Sequence, residues 1–139
     1  LKINKQTTMK KIIFSLFFTV LISCDFAQDM KKLQKYVADK QFDKAKKEVD
    51  ALVAKDPSNA EANYMKAKVY GEIAASDQFK SLVTGDARDI AFETVKSALN
   101  DTTNAKVTFM AAQDKYSALF NLYSGYYEAG AKAFNDAAT

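Results

Sequence analysis

Histidine and tryptophan are missing from this chain, and cysteine and proline occur once each in 139 residues. Without imidazole, and with a single thiol, it has no Ser-His or Cys-His dyad, lacks most zinc sites and can close no disulfide within itself. No catalytic, metal or cofactor site is therefore expected. A run long enough to cross a bilayer is missing too. Such a span needs about 20 apolar residues, whereas the longest candidate, residues 12–22, has eleven. An excess of one charge is also lacking once the net +3 is divided along the chain. Of 20 basic and 17 acidic residues, Lys2, Lys5, Lys10, Lys11 and Asp25 lie in residues 1–27, which leaves 16 of each sign from Gln28 onward. That balance removes the electrostatic footprint of a DNA or RNA binder, so no nucleic-acid partner is expected.

What is present begins with an export signature. Met9 resembles a start, which makes residues 1–8 candidate upstream translated sequence, and Lys10-Lys11 precede the run IIFSLFFTVLI, polar only at Ser15 and Thr19. A positive pair ahead of a short apolar run is the n-region and h-region of a secretory signal, placed here at 9–27. The run ends on Leu21-Ile22-Ser23-Cys24, which resembles the lipobox of bacterial lipoproteins and makes Cys24 the candidate lipid attachment site. A second cut, after Ala27, stays open, although Asp25 then stands where a small neutral residue is preferred.

Beyond this segment one apolar pattern is written twice. Tyr36 and Tyr70 lie 34 residues apart, as do Met30 and Tyr64, and Leu33 and Ala67. Met30, Leu33, Tyr36 and Val37 form a one-sided helical stripe, the polar turn Asp39-Lys40-Gln41 follows, and Phe42, Ala45, Val49, Leu52 and Val53 form a second stripe. Lys44, Lys46, Lys47, Glu48 and Asp50 read as the solvated face. Asp56-Pro57 stops this helix, and Ser58 with Glu61 makes an S-x-x-E capping box for the next.

This hairpin resembles a tetratricopeptide repeat, whose signature runs W-x2-L-G-x2-Y, then A-x3-F, then a proline. Leu33 takes the small-residue place, Tyr36 the tyrosine, Ala45 the alanine, Val49 the aromatic and Pro57 the proline. Asp29 stands at the tryptophan place, an atypical first repeat such as terminal repeats often show. In the next helix Ala67 is small and Tyr70 is the tyrosine, with Asn63 for tryptophan. Ala91, Val95 and Ala98 repeat Ala45, Val49 and Leu52 at 46 residues, so twelve residues enter the turn of the second repeat. Phe79, Leu82 and Val83 within that insertion favour a docked loop or short helix over a free linker. Asp86 caps the helix that follows, and Asp89 and Glu93 complement its dipole. The segment 100–104 interrupts the array, and Asn100 formally opens a glycosylation sequon. Residues 105–134 carry seven aromatics and no proline, so one long helix or two helices meeting near Ser124-Gly125 are both expected geometries. Tyr126 to Asn135 resembles the first helix of a further repeat with Gly130 at the small place, which would end the chain inside a repeat.

The expected fold is all-α: antiparallel helix hairpins stacked as a short tetratricopeptide-like solenoid over residues 28–139. In that family the first helix of each repeat lines the inner surface, and the resemblance puts Glu61, Tyr64, Lys68 and Glu72 there, with Tyr127, Ala131 and Asn135 in the last repeat. Tyr64 and Tyr127 read equally well as packing residues, and Lys68 between Glu61 and Glu72 as i,i+4 pairing. The function implied is an exported interaction or scaffold module, periplasmic or anchored at the outer membrane, with a protein or peptide partner and membrane contact only through a lipid. Two other readings remain: a glycan-binding outer-membrane lipoprotein of helical-repeat type, since seventeen aromatics could supply stacking platforms, or the N-terminal arm of a longer enzyme or sensor.

Overall fold

The computed structural model describes residues 25–100 and 104–137. The export signature, Cys24 and most of the 100–104 interruption lie outside the described residues. The described chain is all-helical: α1 over residues 25–38, α2 Phe42–Lys55, α3 Ala60–Ala75, α4 Ala87–Asn100, α5 Ala105–Gln113 and α6 Ser117–Ala137, with no strand among the described residues. The helices follow one another as three helix-turn-helix hairpins, α1–α2, α3–α4 and α5–α6; α3 packs most closely on α4 and then on α2, and α6 packs on α3 and α4.

The first hairpin follows its stripes. Met30 and Leu33 of α1 are buried with Phe42, Ala45, Val49 and Leu52 of α2, while Tyr36, Val37 and Val53 flank them. Each fully buried aliphatic side chain stabilises the fold by roughly 1.5–3 kcal/mol before the entropy of ordering it is subtracted. The turn is closed by Lys40, whose φ of 55° is left-handed. Its amide donates to Val37 O at 3.1 Å and the Gln41 amide to Tyr36 O at 2.8 Å, the paired bonds of a Schellman cap.

The entry to α3 differs from the expected capping box. Asn59 is the cap, its side-chain oxygen accepting from the Ala62 amide at 3.0 Å. Ser58 turns back instead, donating through its amide and hydroxyl to Asp56 Oδ1, and Glu61 reaches out to Lys106. Asx turns compete well for a serine that directly follows Asp-Pro. Asn63, at the tryptophan place, is buried and donates to Pro57 O at 2.9 Å, so it fastens the same turn.

Helix α3 is the hub. Residues Ala62 to Met65, Ala67, Val69 to Gly71, Ile73 and Ala74 are buried around nearly its whole circumference, as expected of a helix enclosed by neighbours. The insertion docks: Phe79 meets Phe42 edge-on at 5.2 Å, and Leu82, the last residue of the 3-10 turn Lys80–Leu82, packs on the core with Val83. Gly85 takes φ +90°, which glycine alone adopts readily. Asp86 then caps α4 through the Arg88 amide at 2.8 Å. Ala91, Val95 and Ala98 are buried, as are Ala45, Val49 and Leu52 one repeat earlier.

The third hairpin departs from expectation. The 105–134 stretch breaks at Asp114-Lys115-Tyr116, not near Ser124-Gly125, because a second Schellman cap forms there. Lys115 and Tyr116 have φ of 56° and 57°, with Tyr116 N on Ala111 O at 2.7 Å and Lys115 N on Ala112 O at 3.1 Å. Gly125 sits inside α6, where a Cβ would come within 2.6 Å of the Arg88 guanidinium that covers it. Tyr126 to Asn135 is therefore the second half of α6, the closing helix of the third hairpin, and not a fresh first helix.

Candidate binding surfaces

Two open depressions, of about 820 and 380 Å³, lie along the face made by the first helix of each hairpin, α1, α3 and α5, and Gln34 borders both. The larger runs from the start of α1 past the end of α2, at Leu52 and Lys55, to the starts of α3 and α5, at Glu61 and Lys106. The smaller is floored by Tyr64 and Met65 and walled by Val37, Met110 and Gln113. Together they form a groove with an apolar floor and a polar rim.

The charges beside this groove are largely used to join helices. Lys55 pairs with Asp29 at 3.1 Å, joining α2 to α1, and Lys106 pairs with Glu61 at 2.8 Å, joining α5 to α3. The Tyr64 hydroxyl donates between both oxygens of Asp114, at 2.9 and 3.0 Å, and Lys68 Nζ reaches Asp114 Oδ2 at 3.1 Å. Burial, then the hydrogen bond to Asp114, pushes the Tyr64 phenol well above its ordinary pKa of 10.0, because both penalise the phenolate.

Six residues further along α3 the same arrangement recurs toward the preceding hairpin. The Tyr70 hydroxyl donates to Asp50 at 2.9 Å, with Lys46 and Lys66 completing the carboxylate's shell at 2.9 and 3.2 Å. Both ammonium groups also stand over the Tyr70 ring, at 5.6 and 5.3 Å. Burial alone would raise the pKa of Asp50, but hydrogen bonds from Lys46, Tyr70 and Lys66 outweigh it and hold the carboxyl below its ordinary range. Asp50, Lys46 and Glu48 are thus not the solvated face that the sequence suggested. All three are half-buried, and Glu48 pairs with Lys32 of α1 at 2.6 Å.

The seven residues that the resemblance singled out fall into two groups, Glu61, Tyr64, Lys68 and Glu72 on α3 and Tyr127, Ala131 and Asn135 on α6. Glu61, Tyr64, Lys68 and Glu72 share one side of α3, and each engages the third hairpin: Glu61 with Lys106, Tyr64 and Lys68 with Asp114, Glu72 with Asn121 Nδ2 at 3.1 Å. Lys68 thus bridges helices; its partner is neither Glu61 nor Glu72. Tyr127 and Asn135 are exposed on the far half of α6, and from Asn121 to Asn135 the helix advances about 21 Å, so the structure does not bring the two groups together. Of the two carboxylates central to this arrangement, Asp50 reads in sequence as solvated surface and Asp114 is not singled out. A signal for the second exists, since Asp39-Lys40 and Asp114-Lys115 repeat the same pair at two helix ends.

On α4, Asp86 is spent on capping, and Asp89 accepts from the Tyr126 hydroxyl at 2.6 Å. That bond, with lesser help from burial, pushes the Tyr126 phenol up to about 12. Glu93 pairs with Lys96 at 3.6 Å. No group of three metal-ligating side chains occurs among the described residues, and no described helix is long and apolar enough to cross a membrane. Comparison of the chain with family models, with curated proteins and with solved structures gives no match.

Proposed function

We propose that this chain is an exported, tetratricopeptide-like interaction module that holds a segment of a protein partner in the groove along α1, α3 and α5. The observation that carries this reading is the groove itself, an open channel lined by the first helix of all three hairpins. Stacked hairpins cover one another's apolar faces and leave a continuous side surface of this kind, which suits an extended or helical peptide. Because Asp29, Glu61 and Asp114 already face lysines, the groove favours a ligand read by shape and hydrogen bonds over one captured by net charge. Glycan capture gains less support here: the Tyr64 ring in the groove is buried, and the exposed aromatics lie mainly on α5 and α6.

A photoreactive residue tests the groove in cells. Placed at Gln34 or Gln113 it should yield a discrete protein adduct, and at Lys47 on the outer side of α2 it should yield none. Equal labelling at all three positions, or at none, would remove the groove from consideration. The envelope part of the reading is checked separately by mass spectrometry of the mature N-terminus, which should be a diacylated Cys24. A mature chain starting at Gln28 would end the lipid-anchor proposal and leave the groove untouched.

A further inference from the structure

Beyond Tyr126, α6 buries none of its described residues. Every described residue from 127 to 137 is exposed, and a helical stretch of that length is marginal in water unless something packs against it. Its exposed side is the wrong one for solvent. Phe120, Tyr123, Tyr127 and Phe134 are 67%, 71%, 69% and 74% exposed, at steps of three, four and seven, the spacing of a single coiled-coil seam. The charged residues Glu128, Lys132 and Asp136 occupy the other side, where Lys132 and Asp136 pair at 2.7 Å. Ser124, Ala131 and Ala133 border the seam, so it is flanked by small uncharged side chains.

We propose that this seam pairs with the same seam of a second copy, the two helices running antiparallel about a two-fold axis at Tyr127. The spacing of large and small residues is what selects a like partner. Phe120 and Phe134 stand seven residues on either side of Tyr127, so each meets the other across the axis. Tyr123, four residues before Tyr127, meets Ala131 and Gly130 of the opposite copy, and Gly130 has no neighbour within 4 Å to fill its place. Large thus lies over small at one contact and ring against ring at the others, the self-complementarity that a two-fold interface demands. No charge on the seam opposes this pairing. The area fits as well. At about 150–250 Å² per ring, these four exposed rings offer roughly 560 Å² per copy before the flanking small residues are counted, at the upper end of a monomer's usual largest patch and near the lower end of one side of a specific interface. None of the seam residues lines the α1–α3–α5 groove, so pairing would present two grooves rather than cover one.

Cysteine cross-linking of the full 139-residue chain tests the register, with Cys24→Ser removing the native thiol. A thiol on the axis meets its own copy, so Tyr127→Cys should oxidise to a covalent dimer. Phe134→Cys should do so only when mixed with Phe120→Cys, and Lys132→Cys, on the polar side, should form no covalent dimer. Sedimentation should show a dimer for the parent chain and Tyr127→Phe, and loss of the dimer for Tyr127→Glu with its thermal unfolding of the α2–α4 core unchanged. A parent chain that sediments as a monomer overturns the proposal, as would a seam covered by other residues of its own chain or by a different protein. Self-cross-linking of Phe134→Cys as efficient as that of Tyr127→Cys would indicate parallel helices and overturn the register.

Discussion

Tyr64 and Tyr70 show how two hydroxyls on one helix tie three hairpins together. Each is a ring buried against apolar neighbours with a polar tip delivered to a carboxylate, Asp114 on one side and Asp50 on the other, and an unmet hydroxyl there would cost about 1–3 kcal/mol. Replacing either tyrosine by phenylalanine should destabilise the protein by about 1–2 kcal/mol at neutral pH, read by urea unfolding. The pH dependence has a definite sign. Both phenols have folded-state pKa values raised above 10.0, so their stabilisation is complete below pH 10 and is lost as pH rises beyond it. Asp50 is opposite, held below 3.8 in the fold, so its contribution is complete above that value and lost as pH falls below it. Tyr64→Phe should therefore flatten the alkaline fall in stability without altering the acid limb. Parallel losses in parent and variant above pH 10 would show that this hydroxyl carries no proton linkage.

Helices α1 and α5 end on left-handed residues that are not glycine, whereas α2 and α3 end on extended ones. A non-glycine residue in that region costs about 1–2 kcal/mol, against about 0.5–1 kcal/mol of added chain entropy when glycine replaces it. Lys40→Gly and Lys115→Gly should thus each stabilise by about 0.5–1 kcal/mol, and the double variant by the sum, since the turns are separate. A fall in the melting temperature of either single variant would mean that the lysine side chain contributes more than its backbone strain costs. These turns also explain which boundaries were legible. Asp56-Pro57 carries an ordinary stop signal, and the helix on either side was readable from it. Asp114-Lys115-Tyr116 carries no glycine or asparagine to announce its cap, and only the Asp-Lys pair that it shares with Asp39-Lys40 marks it. Gly125 looked like a break, yet it accommodates Arg88, a residue 37 positions away.

At the level of the molecule, stability rests on α3 being enclosed. Ala45 and Ala67 have no exposed surface, and packed interiors resist added methylenes at a cost of about 1–3 kcal/mol. Ala45→Leu and Ala67→Leu should each lower the thermal midpoint clearly, whereas Lys47→Ala, on the exposed side of α2, should leave it within about 0.5 kcal/mol of the parent. Equal effects at the three positions would contradict the helix register. The same enclosure decides where function can reside. A face of α3 that reads in sequence as open to a ligand is closed in part by α5 and α6, while Gln34 and Gln113 at the groove edges and the outer seam of α6 stay exposed.

The sequence by itself determined the all-helical class, the stripes of α1, α2 and α4, the 34-residue step and the docking of Phe79, because periodic apolar spacing and local caps depend on residues a few positions apart. Only the tertiary structure decided that Asn59 rather than Ser58 caps α3, that Asp50 and Asp114 serve buried tyrosines, and that α6 continues past Gly125. Each of those outcomes turns on partners 20 to 50 residues distant, or on two local hydrogen-bonding options of similar strength, and short-range pattern carries no information about which partner a folded neighbour will supply.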